Sequence, residues 1–257
     1  MKSTALLLLV FLFSGVVVSE LLAQEAPAMP QNFFVIEEFV SPSDNAEFVK
    51  VQQKAVDLWN EVGLDIPLYT YATNINSYYW VVPIENFAGI DQLFEKVGTM
   101  TAEMKEKGYD ADKEFKDLST ARQMVIHYSE ELSYHPNGQT GQTRDNAYCE
   151  LTFLYLKQGH EEEATKATQR YKDFYNSIEE KENVDWDVYT VWMGPDTPCW
   201  ILMYRAESEL AMRQTEAKLE AKYQDKFEEL WTNFAQHVRK VDTQEARFLP
   251  NWSLNFE

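Results

Sequence analysis

An internal repeat constrains the fold of this chain more than any other feature of its sequence. Residues 69–82 align without a gap on residues 189–202, so that Trp80 falls on Trp200. Three further blocks match in the same order, namely 57–60 with 173–176, 115–118 with 227–230, and 133–137 with 247–251. Four matched blocks in one order predict a duplication, and therefore two similar structural units in one chain.

Each copy shows the same succession of strand-like and helix-like patterns. A β-prone run opens each copy, at 33–40 and at 151–156. An amphipathic helical pattern follows, and then two β-prone runs joined by a turn, which cover 68–84 in the first copy. A long helical stretch and a short β-like segment close each copy. The order β-α-β-β-α-β is that of the ferredoxin-like motif.

A sheet that carries helices on one face leaves its other face without a partner, and a second copy can supply that partner. We therefore predict an α+β protein in which two ferredoxin-like βαββαβ units pack sheet to sheet as a pseudo-dimeric α-β barrel. We assign the first unit to 25–136, a polar linker to 137–148 and the second unit to 149–257.

Residues 1–24 have the pattern of a secretory signal peptide. Lys2 precedes an apolar run from Ala5 to Val18, and we place the cleavage between Gln24 and Glu25. The run is shorter than the ~20 apolar residues that a transmembrane helix needs. We expect an exported protein, periplasmic or secreted, that does not insert into a membrane after signal removal. An uncleaved anchor is the alternative.

The charge and the aromatic content bear on the partners. The formal net charge is −19 at pH 7, and such a surface repels phosphate backbones, so we expect no nucleic-acid partner. Aromatic residues make up 14% of the chain, which suits a packed interior or an aromatic-lined pocket better than disorder. Because the two units would pair within one chain, we expect a monomeric pseudo-dimer or a homo-oligomer.

The duplication, the order of elements and the hairpin that runs from Tyr69-Thr70 to Trp80 together carry a family resemblance. The chain resembles the dimeric α-β barrel superfamily, particularly its single-chain tandem members and NIPSNAP-like proteins, over nearly all of the mature chain. The resemblance implies a fold but not one activity. That superfamily includes cofactor-free monooxygenases, small-molecule isomerases, haem-dependent enzymes and many proteins of unknown role.

Aromatic residues of the two hairpins and a carboxylate pair in the first strand are the candidate ligand-binding residues. Between two sheets, aromatic side chains would line a cavity suited to a flat apolar or aromatic molecule, and a buried carboxylate could serve as an acid or a base. The alternative is that the matched tryptophans simply fill the core and that the carboxylates are solvated. The candidates are Tyr69, Tyr71, Tyr78, Trp80, Tyr189, Trp192, Trp200, Tyr204, Glu37 and Glu38.

No catalytic residue and no metal site can be assigned from the motifs. Cys149 and Cys199 are expected at opposite ends of neighbouring strands, too far apart for a disulfide. The four histidines lack metal-binding spacing. We predict no cofactor, and the resemblance to haem-dependent enzymes leaves haem on an axial histidine as the alternative.

Three functions remain open at this point. The first is an exported tandem barrel that binds a small apolar or aromatic molecule between its two sheets. The second is a cofactor-independent monooxygenase or isomerase of the same fold. The third is a cell-envelope protein-interaction module with a filled core. Whether the protein is an enzyme is left undecided.

Overall fold

The computed structural model of the protein describes residues 31–138 and 148–255. The predicted signal peptide, 1–24, and most of the predicted linker, 137–148, lie outside the described residues. Within the described ranges, no helix combines the length and the apolar character needed to cross a bilayer.

The described residues form eight strands and five α-helices. The first half contains β1 (Asn32–Val40), α1 (Asn45–Val62), β2 (Tyr69–Thr73), β3 (Ser77–Ile84), α2 (Ala88–Glu106), α3 (Ala111–Glu114) and β4 (Ser119–Tyr128). The second half contains β5 (Tyr148–Leu156), α4 (Glu161–Ser177), β6 (Trp186–Met193), β7 (Cys199–Ala206), α5 (Glu209–Ala235) and β8 (Val238–Phe248). Short 3-10 helices lie at Glu179–Asn183 and Pro250–Trp252.

The strands form one closed antiparallel barrel in the order β1-β3-β2-β8-β5-β7-β6-β4. Two ladders join the halves of the chain. Strand β2 pairs with β8, where Tyr71 lies opposite Phe248, and β4 pairs with β6, where Tyr128 lies opposite Tyr189. A closed sheet leaves no edge strand with unpaired backbone groups.

The predicted fold class, two ferredoxin-like units packed sheet to sheet as a pseudo-dimeric α-β barrel, is wrong. The two groups of four strands do not stack face to face as separate sheets. They meet edge to edge through hydrogen bonds of the β2–β8 and β4–β6 ladders. The physical reason is that edge pairing satisfies the backbone donors and acceptors that a stacked pair of sheets would leave open at four edges. The result is one barrel interior.

Alternation along each strand gives the barrel an inner and an outer surface. In β1, Phe33 and Val35 belong to the inner cluster of buried residues, whereas Phe34 belongs to a cluster on the helix side. In β3, Tyr79 is an inner residue and Trp80 an outer one. Both surfaces are apolar, because one faces the barrel interior and the other lies under helices.

Helices cover the outer surface of the barrel. In α1, Phe48, Val51 and Ala55 recur at helical spacing and are buried. This helix ends at Gly63, whose φ of 71° forms the left-handed cap that glycine adopts without steric cost. Helices α4 and α5 contribute to a third cluster over the second half, which includes Leu219 of α5.

The two cysteines lie on the paired strands β5 and β7. Cys149 is opposite Arg205 in this ladder, and Cys199 is opposite Tyr155. Both thiols are free and buried. The ladder therefore separates them toward opposite ends of the strand pair, as the sequence predicted.

Candidate functional site

A cavity of about 120 Å³ lies inside the barrel. Its wall is aromatic and aliphatic, with tyrosine hydroxyls and one guanidinium as the principal polar groups. The lining residues are Phe33, Val35, Tyr69, Tyr71, Tyr79, Val81, Met124, Ile126, Cys149, Leu151, Phe153, Tyr189, Ile201, Met203, Arg205 and Phe248. The interior is therefore not completely filled by side chains.

Strand alternation and register explain why these residues meet. Tyr71 of β2 lies opposite Tyr79 of β3, and the inward side chains of both strands therefore share one stretch of wall. Across the barrel, Arg205 of β7 lies opposite Cys149 of β5, at the level where the inward side chains of the second half begin. Residues far apart in sequence thus line one cavity.

A buried ion cluster forms the charged side of the cavity wall. The Nη1 group of Arg205 donates a short hydrogen bond to Oδ2 of Asp187, and the Nη2 group lies 2.9 Å from the sulfur of Met203. The other oxygen of Asp187 lies 3.0 Å from Nε2 of His135, an ion-pair contact whose angles are not those of a hydrogen bond. Asp185 lies 3.8 Å from Nδ1 of the same ring. The side chains of Arg205 and Asp187 are 10% and 3% exposed.

Contacts within the cluster favour the charged forms of Asp187 and His135. Burial raises the pKa of the Asp187 carboxyl, but His135 and Arg205 outweigh it and hold that pKa below its usual value. Burial lowers the pKa of His135, but Asp185 and Asp187 outweigh it and raise the pKa to about 9. Two cations and two carboxylates therefore balance in charge at neutral pH.

The tyrosine hydroxyls near this cluster stay protonated. Loss of solvent raises the pKa of Tyr71 to about 12, an effect that Arg205 partly offsets. Loss of solvent, reinforced by Asp187, raises the pKa of Tyr189 well above its usual range. The Tyr189 hydroxyl donates to Oδ2 of Asp187 at 3.5 Å, so its oxygen is left to accept a hydrogen bond from a molecule in the cavity, whereas the Tyr71 hydroxyl can donate or accept.

A second polar cluster meets the cavity through Tyr79. The Tyr79 hydroxyl donates to Oε1 of Glu37 (2.8 Å), and Nε of Arg122 donates to Oε2 of the same carboxylate (2.6 Å). The amide oxygen of Gln244 lies 3.1 Å from the Tyr79 hydroxyl, but a phenol has one proton and the carboxylate is the stronger acceptor. Glu37 is 0% exposed. Burial, reinforced by Glu37, raises the pKa of Tyr79 well above its usual range.

Three of the predicted site residues, Tyr69, Tyr71 and Tyr189, line the cavity. Glu37 points into the barrel and reaches the cavity wall through Tyr79. Its neighbour Glu38 points the other way, where it accepts hydrogen bonds from Trp80 Nε1 (2.7 Å) and from the hydroxyl of Ser119 (2.9 Å).

The other predicted site residues lie outside the barrel. Tyr78 and Trp80 pack under the helices of the first half, where the ring of Trp80 stacks on Trp252 at a centroid distance of 5.9 Å. Trp200 and Tyr204 pack on the helix side of the second half. Trp192 is 53% exposed on the surface. None of these five faces the cavity.

The sequence reasoning missed Tyr79, Asp187 and Arg205. Alternation placed Tyr78 and Trp80 on one face of the strand and Tyr79 on the other, and the prediction took the wrong face as the inner one. A signal for the other two was available, because a charged residue within an apolar strand must face either solvent or a partner. Asp187 and Arg205 both stand in strands that are otherwise apolar and aromatic.

The residues present do not fit a histidine-ligated haem inside the barrel. All four histidines are in the described part of the chain, and none lines the cavity: His127 stacks on Trp192, His160 and His237 contact each other at 3.1 Å, and His135 contacts the two aspartates. A cavity of about 120 Å³ is also well below the ~300 Å³ at which pockets for larger ligands begin. Across residues 31–138 and 148–255, no group of three or more histidines, cysteines or carboxylates could hold a metal ion.

No protein-family model and no curated protein matches this chain. Solved structures share its fold. An anthrone oxidase-like protein has a TM-score of 0.57 at 11% identity, over 85% of this chain and 92% of that chain. A mutant chlorite dismutase from Candidatus Nitrospira defluvii has a TM-score of 0.51 at 12% identity, over 86% of this chain and 92% of that chain.

These structural neighbours are members of the dimeric α-β barrel superfamily. The likeness agrees with the resemblance expected from the sequence in the fold. At such low identities the likeness shows the fold alone. The internal duplication and the narrower resemblance to NIPSNAP-like proteins stay predictions.

Proposed function

We propose that this exported protein binds a small molecule, about the size of one aromatic ring, inside its barrel. The observation that carries the proposal is the cavity of about 120 Å³ with its aromatic wall and its single guanidinium. An apolar protein cavity of about 150 Å³ is known to hold benzene. The ligand lies within one closed sheet, and not between two sheets as the sequence suggested.

The volume that side chains leave unfilled in the barrel supports this proposal. At roughly 24 cal/mol per Å³, a cavity of this volume costs about 3 kcal/mol of folding stability. That is a large part of the about 5–15 kcal/mol by which domains are stable. A bound ring would replace the missing packing contacts and recover much of this loss.

A calorimetric titration with benzene, toluene and naphthalene tests the proposal. We expect the single rings to bind and to raise the melting temperature, and the fused two-ring compound to be excluded by size. Val81→Phe, which places a ring in the cavity, should abolish binding. Val241→Phe is the matched control, because it makes the same change at a side chain that is 39% exposed on the surface. Equal binding of benzene by both variants would refute an internal site.

A second candidate function is cofactor-independent oxygenation, and it is favoured by the Tyr79–Glu37 pair at the cavity wall. A ring ketone with an acidic methylene could pass a proton to the Tyr79 oxygen while the hydroxyl proton moves to Glu37. The resulting carbanion would react with dioxygen, and the overall change would be a methylene plus O₂ to a carbonyl plus water. The anthrone oxidase-like neighbour has the same fold, which supports this candidate.

Oxygen uptake with 1,3-cyclohexanedione as the probe tests this candidate. We expect wild-type protein to consume dioxygen and Tyr79→Phe to lose at least about 100-fold of that rate, in the range that general acid–base catalysis contributes. Tyr78→Phe is the matched control, because Tyr78 is the adjacent residue on the helix side of the same strand. If the protein binds 1,3-cyclohexanedione but consumes no dioxygen, the oxygenation candidate is refuted and ligand binding alone stands. The interaction-module alternative, which assumes a filled core, stays a prediction.

A further inference from the structure

We propose that Asp187 sets the charge preference of the cavity, so that the barrel selects a neutral ring bearing one hydrogen-bonding oxygen, such as a phenol or an aromatic ketone, over an aromatic carboxylate. This inference rests on the proposed ligand-binding function. It goes further by naming the chemical class of the ligand and the residue that determines it.

Asp187 is already paired with Arg205 before any ligand enters the cavity. Arg205 carries the cationic group of the cavity wall, and its Nη1 group donates a hydrogen bond to Asp187 inside the barrel. Asp187 is 3% exposed, so water does not screen the pair. An incoming carboxylate would therefore have to compete with a carboxylate that is already in place.

The whole cluster pairs each cation with a carboxylate. The two cations, Arg205 and His135, are matched by Asp187 and Asp185 at contact distances. An anionic ligand would add a third carboxylate without a third cation. Burying an uncompensated charge is among the most unfavourable changes in a protein interior. The cluster thus disfavours benzoate and tolerates a neutral molecule.

Arg205 offers a hydrogen-bond donor to an oxygen atom of the ligand. The Nη2 group of Arg205 contacts the thioether of Met203, which is a weak acceptor. A phenol or ketone oxygen is a stronger acceptor and could replace the sulfur at that N–H group. The hydroxyls of Tyr71 and Tyr189 belong to the same cavity wall as Arg205; Tyr189 donates its proton to Asp187 and can accept from a ligand, and Tyr71 can donate or accept. A ring with one oxygen would satisfy these groups better than a hydrocarbon does.

Titration of the mature protein with benzene, phenol and benzoate at pH 7 tests the inference. We expect phenol to bind about 10-fold or more tightly than benzene, the range given by one hydrogen bond to a charged group, and benzoate to bind more weakly than benzene. Asp187→Asn should reverse the preference and tighten benzoate binding by about 10-fold or more. Asp185→Asn makes the same change of charge at a side chain that is 32% exposed and contacts His135 but not Arg205, and should tighten benzoate binding clearly less than Asp187→Asn does.

Each outcome has a distinct meaning. If wild-type protein binds none of the three rings, the binding function itself fails. If it binds benzene and phenol equally, or if Asp185→Asn gains benzoate as strongly as Asp187→Asn, the role of Asp187 is refuted while binding stands. Should Asp187→Asn not fold, the double variant Asp187→Asn/Arg205→Met removes both charges together. It should bind phenol no better than benzene, and a retained phenol preference would overturn the inference.

Discussion

The pair Glu37–Arg122 makes a quantitative test of how this barrel tolerates charge in its interior. The two members differ in exposure, because Glu37 is 0% exposed and the side chain of Arg122 is 32% exposed. The charge that remains after one member is removed therefore differs in its exposure between the two single variants. Arg122→Met leaves a buried carboxylate, whereas Glu37→Gln leaves a guanidinium that can reach water.

The expected costs follow from this asymmetry. Breaking a buried ion pair by removing one partner costs about 3–5 kcal/mol when the remaining charge is buried, so we expect this range for Arg122→Met. Glu37→Gln keeps an acceptor for the Tyr79 hydroxyl but loses the charge-assisted hydrogen bond from Arg122, so we expect about 1.5–3 kcal/mol. The double variant Glu37→Gln/Arg122→Met should be more stable than Arg122→Met alone, because no buried charge is left.

Urea unfolding at pH 7, followed by tryptophan fluorescence and by circular dichroism, measures all three variants. If the unfolding free energy falls equally steeply with urea concentration in all variants, each variant unfolds with a similar change in exposed surface. The reasoning fails if Glu37→Gln costs as much as Arg122→Met. It also fails if the double variant costs the sum of the single ones, because the two residues would then not be coupled.

Contacts of His135, Gly194 and Trp252 can be tested in the same way. His135 has a folded-state pKa of about 9 against an unfolded value of about 6.5, so its contribution to stability is fully present below pH 6.5 and is lost as the pH rises through 9. The difference in unfolding free energy between wild type and His135→Asn should therefore be on the order of 2–3 kcal/mol at pH 6 and vanish above pH 9. A difference that stays constant with pH would contradict the ion pairs. Gly194→Ala should destabilise by more than about 1 kcal/mol, because φ is 152° and an added Cβ would lie 2.8 Å from the Cβ of Met124; a neutral effect in chemical denaturation would show that the strand can shift there. Trp252→Ala should cost about 3–5 kcal/mol, because the buried indole stacks on Trp80 and donates to Gln53; a loss below 1 kcal/mol would show that the C-terminal segment does not brace the barrel.

Local patterns in the sequence determine much of the secondary structure. Helical spacing of Phe48, Val51 and Ala55 is sufficient to make one face of α1 apolar, whatever that face later meets. The period of two in β3 is sufficient to place Tyr78 and Trp80 on one side and Tyr79 on the other. These features depend on neighbours in the chain, and they can be predicted without knowing the fold.

Only the tertiary structure decided which side of each strand faces the cavity. Both sides of β3 are apolar, since one packs under helices and the other lines the barrel, so hydrophobicity does not distinguish Tyr79 from Trp80. The predicted site residues were accordingly divided between the two surfaces. Tyr69, Tyr71 and Tyr189 line the cavity, and Trp80 and Trp200 do not.

The closure of the barrel was likewise decided by contacts between distant residues. The ladders β2–β8 and β4–β6 join segments that no local pattern relates, and they turn two groups of strands into one closed sheet. The same long-range geometry brings Asp187 to Arg205 and Glu37 to Arg122. The sequence by itself determined the elements and their amphipathic faces, because these depend on backbone periodicity. The cavity and its charges depend on strand register across the whole chain, which exists only in the folded protein.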